Sequence, residues 1–206
     1  MASKIGMERL LELCRDEPNG LYARTRARVR LIEQEFSHLI GCGIIKKENL
    51  RGRALDFGTG AGAGAAVIKK YGGSVTGLDN WDVTLSDAVE QGILLPEDAI
   101  LIGDGFDYLE WLSSTQPQSV DFISVLWMNW KFPYENMCKY ASDILKQGGQ
   151  LLVTCGSGSR QQSGLSESKE ELQKRVSHLG ILEDIEVVSP VSNERVLLTC
   201  AFVYTK

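Results

Sequence analysis

From residue 52 onward the sequence alternates short apolar runs with stretches whose apolar residues recur at three- and four-residue steps. That alternation restricts the fold more than any other feature, because the first pattern suits strands and the second suits helices. The strand candidates are residues 53–57, 74–78, 99–102, 120–126, 150–155, 182–188 and 195–203. Helix candidates fall between them at 62–71, 84–91, 106–113, 134–146 and 167–179. Strands separated by helices need right-handed crossovers and build a largely parallel sheet covered on both faces. The last two strands are joined only by Ser189-Pro190-Val191-Ser192-Asn193-Glu194, which is too short for a crossover, so they should be antiparallel neighbours. The expected fold is α/β: a doubly wound, seven-stranded, mostly parallel sheet with an antiparallel last strand.

Ahead of this pattern the chain reads as helical. Residues 5–14 carry Met7, Leu10, Leu11 and Leu13, and Asp16-Glu17-Pro18-Asn19-Gly20 then breaks the helix. A second helix is expected over 21–40, with Val29, Ile32, Phe36, Leu39 and Ile40 on one side and Gly41 and Gly43 as stops. The expected division is residues 1–49 as an N-terminal helical cap or lid and 50–206 as the main domain. Arg24, Arg26, Arg28 and Arg30 lie around the second helix and, with Tyr22, could receive an anionic ligand or simply face water.

The chain has 206 residues, enough for one α/β domain. Its longest apolar runs are strand-sized and well short of a membrane span, and residues 1–8 lack the apolar stretch of a secretory signal, so a cytoplasmic protein is expected. The formal net charge of −5 offers no general attraction to nucleic acid. Five cysteines at 14, 42, 138, 155 and 200 include no Cys-x-x-Cys pair. The two histidines, His38 and His178, have no partners at a metal-binding spacing, so no metal site is expected. Gly156-Ser157-Gly158-Ser159 reads as a surface loop.

The chemistry concentrates at Asp56-Phe57-Gly58-Thr59-Gly60-Ala61-Gly62, between the first strand and a helix. Glycines there allow positive φ and close approach of a ligand to the backbone, and the helix N-terminus attracts negative charge. Asp56 would repel a pyrophosphate and suits a ligand bearing an ammonium group. Asp79 ends the second strand about twenty residues after Gly58, a separation at which a carboxylate can accept from ribose hydroxyls. Asp104, in Ile102-Gly103-Asp104-Gly105-Phe106, could accept from an adenine amino group with Phe106 near the ring. Three successive strands thus end in carboxylates at one sheet edge, where open α/β sheets hold ligands.

With these residues the chain resembles the class I (Rossmann-like) S-adenosylmethionine (SAM)-dependent methyltransferases over about residues 50–206. The resemblance implies SAM as cofactor and S-adenosylhomocysteine as product. It implies that Asp56, Gly58, Thr59, Gly60 and Gly62 hold the methionine part, and that Asp79 binds the ribose with Asn80 and Trp81 beside the adenosine. It implies further that Gly103, Asp104, Gly105 and Phe106 contact adenine, and that the end of the fourth strand, at Ser124, Val125, Leu126 and Trp127, flanks the methionine part and the acceptor.

The segment Trp127-Met128-Asn129-Trp130-Lys131-Phe132-Pro133-Tyr134 occupies the family's acceptor position. It departs from the Asn/Asp-Pro-Pro-Tyr pattern of amino-group methyltransferases, and Trp127, Asn129, Trp130 and Tyr134, with Tyr22, are the acceptor-contact candidates. The expected function is methyl transfer to a small or medium-sized molecule by in-line displacement, with a protein or RNA acceptor as the variant and no membrane partner. The alternatives are a nicotinamide-dependent oxidoreductase, which Gly58-x-Gly60-x-x-Ala63 fits loosely, and a non-catalytic SAM-binding module serving a partner. No catalytic base is evident.

Overall fold

The computed structural model describes residues 20–128, 132–156, 169–188 and 195–206, with side chains described outside 20–27, 127–131, 155–172 and 186–200. The expected helix at 5–14, the Ser157–Ser159 part of the glycine–serine loop and the link at 189–194 lie outside the described residues. In chain order the elements are α1 (Gly20–Gly41), β1 (Arg53–Phe57), α2 (Ala63–Lys70), β2 (Ser74–Asp79), α3 (Asp82–Glu90), β3 (Ala99–Leu101), α4 (Gly105–Thr115), β4 (Val120–Met128), α5 (Tyr134–Ile144), β5 (Leu145–Gly156), α6 (Lys169–Val176), β6 (Ile181–Val188) and β7 (Arg195–Thr205).

One seven-stranded sheet runs β3-β2-β1-β4-β5-β7-β6. The pairs β1–β2, β1–β4, β2–β3 and β4–β5 are parallel, whereas β7 runs antiparallel to both β5 and β6. The last strand in the chain therefore sits inside the sheet rather than at its edge. Two cores sandwich the sheet. On one face, Ile32, Phe36 and Leu39 of α1 pack with Ala65, Val67 and Ile68 of α2, Leu85 and Ala88 of α3, and Ala54, Phe122 and Leu152. On the other, Leu109 and Leu112 of α4, Met137, Ala141 and Ile144 of α5 and Val176 of α6 pack on Leu55, Phe57, Ile123, Val125, Leu151 and Val153. Alternate strand residues go to opposite faces, as the two-residue strand period requires. Central strands buried on both sides read as nearly continuous apolar runs, which explains their visibility in the sequence.

The second half of α1 is thus part of a helical layer. Phe36 meets Phe122 of β4 edge-to-face, with centroids 6.0 Å apart. The loop that follows is tied to β5 by Gln150, only 2% exposed, which donates to the Ile44 carbonyl and accepts from the Lys46 amide. The junction of α5 and β5 differs from the sequence reading. The helix ends at Ile144, and Leu145 is already extended (φ −69°, ψ 142°) opposite Val120 of β4. Tertiary pairing there overrides a helical pattern that the sequence continues to Lys146.

Candidate functional site

The glycine loop leaves β1 and crosses toward α2 with Gly58, Gly60 and Gly62 at φ 72°, 52° and 83°. Residues with a Cβ enter this left-handed region only at a cost of about 1–2 kcal/mol. The loop is fastened to the end of β2. The Gly58 and Thr59 amides both donate to the Leu78 carbonyl, at 2.8 and 3.0 Å. The Gly60 amide donates to Asp79 Oδ2 at 2.7 Å, and the other oxygen of Asp79 accepts from the Trp81 amide at 3.0 Å. A Cβ at Gly60 or Gly103 would meet nothing within 4 Å, so both positions border open space. A Cβ at Gly105 would instead lie 2.1 Å from the Phe57 ring, so glycine lets the start of α4 approach the end of β1.

Asp56 lies beneath the loop and is 2% exposed. Its Oδ2 accepts from Thr59 Oγ1 at 2.7 Å and from the Ala65 amide at 3.0 Å, and its Oδ1 accepts from Ser124 Oγ at 2.7 Å. Asp56 and Ser124 are register partners on β1 and β4, and both face α2. A Cβ at Gly64 would lie 2.7 Å from Asp56 Oδ1, so this glycine makes room for the carboxylate. Burial raises the Asp56 pKa above its ordinary 3.8; the Ser124, Thr59 and Ala65 donors oppose that shift, and the Asp79 charge adds to it. Asp56 therefore binds β1, the loop, α2 and β4 together.

Further along the edge, Asp79 is half-buried and Asn80 is exposed, while Trp81 is 67% exposed. Asp104 is exposed and caps α4 by accepting from the Phe106 amide at 2.8 Å. The Phe106 ring packs inward against Phe57 and Tyr140, with centroids at 6.1 and 5.9 Å. The Val125 side chain is fully buried, which leaves its backbone as the part that can meet a ligand. Tyr134 is 1% exposed and stacked edge-on against Phe132 and Phe202, so it belongs to the core and has no surface for an acceptor. The aromatic run after β4 looked like a binding segment, but its end is where α5 docks on the sheet. The side chains of Tyr22, Trp127, Asn129 and Trp130 lie outside the described residues.

Sequence reasoning anticipated the carboxylates but not the inward use of Asp56. The signal that could have found it is Ser124, a polar residue between apolar Ile123 and Val125 in the middle of the strand. Such a residue normally has a buried partner.

A loop of left-handed glycines after β1, acids at the ends of β1 and β2 and beside β3, and a reversed β7 between β5 and β6 define the class I fold of SAM-dependent methyltransferases. Residues 55–153 match the model of the methyltransferase domain family, and the chain belongs to the class I SAM-dependent methyltransferases, with SAM as methyl donor. Solved structures share the fold. A protein from Pyrococcus horikoshii OT3 is 15% identical with a TM-score of 0.56, over 94% of this chain and 98% of that one. A SAM-dependent methyltransferase from Archaeoglobus fulgidus is 12% identical with a TM-score of 0.53, over 86% and 94%. The Methanococcus jannaschii fibrillarin pre-rRNA processing protein is 15% identical with a TM-score of 0.53, over 78% and 69%. A search of curated protein sequences gave no match. The family match and the inserted antiparallel β7 replace the nicotinamide-dependent alternative, whose doubly wound sheet has strand order 3-2-1-4-5-6. Among the described residues no helix is long and apolar enough to cross a membrane.

Proposed function

We propose that the crevice at the ends of β1, β2 and β3 holds SAM and that the chain methylates a small or medium-sized molecule. The observation that carries this reading is the glycine loop itself: three left-handed glycines tied to Asp79, with open space at Gly60. When bound, SAM supplies a methyl group activated on sulfur, transferred by in-line displacement. The protein's part is position and exclusion of water.

In this reading the backbone of Gly58, Gly60 and Gly62 supports the methionine part. Asp56 acts from behind by fixing the loop, since its carboxylate already accepts three protein hydrogen bonds. An ionised carboxylate has about four lone-pair sites. Asp79 uses two on backbone amides and keeps the others for ribose hydroxyls. Asp104 spends one oxygen on its cap and offers the other to an adenine amino group, with Trp81 alongside. The acceptor is received by Trp127, near the end of β4, and by Asn129 and Trp130, which follow β4 in the sequence, with Tyr22 as a further contact. The acidic net charge supports a small molecule over RNA.

Thermal shift is the direct test of the cofactor. Ligand at a hundred times its dissociation constant adds about 2.7 kcal/mol, or roughly 5–10 °C for a domain of this size. SAM and S-adenosylhomocysteine should each give such a shift and NAD none; a response to NAD alone would overturn the reading. An acceptor screen that follows S-adenosylhomocysteine release then tests the acceptor class. Turnover on small molecules supports the proposal, turnover only on RNA or protein replaces it, and SAM binding without any turnover favours a module serving a partner.

A further inference from the structure

Away from the cofactor crevice, three side chains able to bind a metal converge where α1 ends beside the edge strand β6. His38 Nε2 lies 3.8 Å from Cys42 Sγ and 3.9 Å from Glu183 Oε1, and the three ligand atoms all lie within 4.8 Å of one another. Each has a local cause. His38 and Cys42 are four residues apart at the end of α1, so one helical turn puts them on the same face. Ile185 of β6 packs in the same core as Phe36 and Leu39, and the two-residue strand period sends Glu183 toward α1 as well. Cys42 is exposed, and the His38 and Glu183 side chains are about a third exposed (34% and 38%), so the cluster can be reached from solvent.

The arrangement suits one chemistry better than another. In a nucleophile–base–carboxylate relay the carboxylate orients the ring through one nitrogen while the nucleophile faces the other. Here the thiol and the carboxylate both face Nε2. Groups gathered on one nitrogen need a shared electrophile between them. A tetrahedral zinc ion with Zn–S about 2.3 Å, Zn–N about 2.0–2.1 Å and Zn–O about 2.0–2.2 Å sets S···N near ~3.6 Å and N···O near ~3.4 Å. The 3.8 Å thiol–imidazole and 3.9 Å imidazole–carboxylate separations are slightly longer than these, and with all three atoms within 4.8 Å of one another, rotamer adjustment of the partly exposed side chains can draw them onto one ion. The partial negative charge at the C-terminus of α1 also favours a cation there.

We propose that His38, Cys42 and Glu183 form a binding site for a zinc-class divalent cation, with a fourth position left for water, which clamps the end of α1 to β6. Thiolate, imidazole and carboxylate together suit zinc or cobalt and disfavour magnesium and calcium, which take oxygen ligands. The site is independent of the SAM reading, since it shares no residue with the glycine loop.

The test is a cobalt(II) titration of the reduced protein, followed by the near-ultraviolet thiolate-to-cobalt charge-transfer band and by displacement with zinc. One equivalent should bind and give the band. Cys42→Ser should abolish the band, and Glu183→Gln should weaken binding about tenfold or more. Cys42 is exposed, so the serine variant should keep its metal-free melting temperature, which separates loss of a ligand from loss of fold. Zinc should raise the melting temperature of the wild type and not of Cys42→Ser. Absence of saturable binding would overturn the proposal. So would a band that persists in Cys42→Ser at unchanged affinity, because the thiolate would then belong to another cysteine.

Discussion

Ser124→Ala tests the role assigned to Asp56. The substitution removes the donor to Asp56 Oδ1, a 2.7 Å bond from β4 to β1, and leaves that oxygen buried in a residue 2% exposed. A hydrogen bond to a charged group is worth about 1.5–3 kcal/mol. For a domain of this size that corresponds to a fall in melting temperature of roughly 3–12 °C. The cost should also depend on pH. Burial raises the Asp56 pKa above 3.8, so the folded chain keeps this proton to higher pH than the unfolded chain does. Stability of the wild type should therefore fall as pH rises from near 3.8 through the folded value, with the contribution of this group fully lost above it. Losing the Ser124 donor raises the folded value further. Little of the mutational cost should then appear where Asp56 is protonated in both proteins, and all of it where Asp56 is ionised in both. Urea unfolding of both proteins over a pH series running upward from near 3.8 measures the difference. A cost below about 0.5 kcal/mol throughout the series, or one that falls as pH rises, would refute a buried carboxylate held by Ser124.

Three further outcomes follow from the same geometry. Gly62→Ala should destabilise more than Gly60→Ala: both pay the left-handed cost of about 1–2 kcal/mol, but only the Cβ at Gly62 meets a neighbour, Ile93 Cγ2 at 2.8 Å; equal melting temperatures for the two variants would contradict this. Asp79→Ala removes the 2.7 Å bond from the Gly60 amide together with the proposed ribose contact, so SAM should bind roughly tenfold to a hundredfold more weakly by calorimetry, and an unchanged affinity would make Asp79 a turn residue only. Timed iodoacetamide labelling with mass spectrometry should modify exposed Cys42 well before Cys138, whose thiol is buried and pushed up to about 12; equal rates would contradict the packing of α5.

The helix–strand alternation was readable because the central strands are buried on both faces and the helices on one, which imprints distinct periods on the sequence. The antiparallel relation of β6 and β7 followed from the short link between them. That β7 enters between β5 and β6 was not readable, since strand order depends on pairings between distant segments. Tyr134 misled for a related reason: a large aromatic beside a site and one in a core have the same local pattern, and only the docking of α5 against Phe202 separates them.

By itself the sequence determined the class of fold, the glycine loop and the row of acids at one sheet edge, since each depends on residues close in the chain and on the spacing of strands. Tertiary structure decided what those residues do. It turned Asp56 inward onto Ser124 and Ala65, set Asp79 against the loop amide of Gly60, packed a partly buried Phe106 against the core, and placed Tyr134 within it. It also brought Glu183 of the edge strand to His38 and Cys42 at the end of α1, a grouping that no sequence spacing announces. The physical reason is common to all of these. Burial and hydrogen-bond partnership are set by which elements the sheet order makes neighbours, and that order joins residues far apart in the chain.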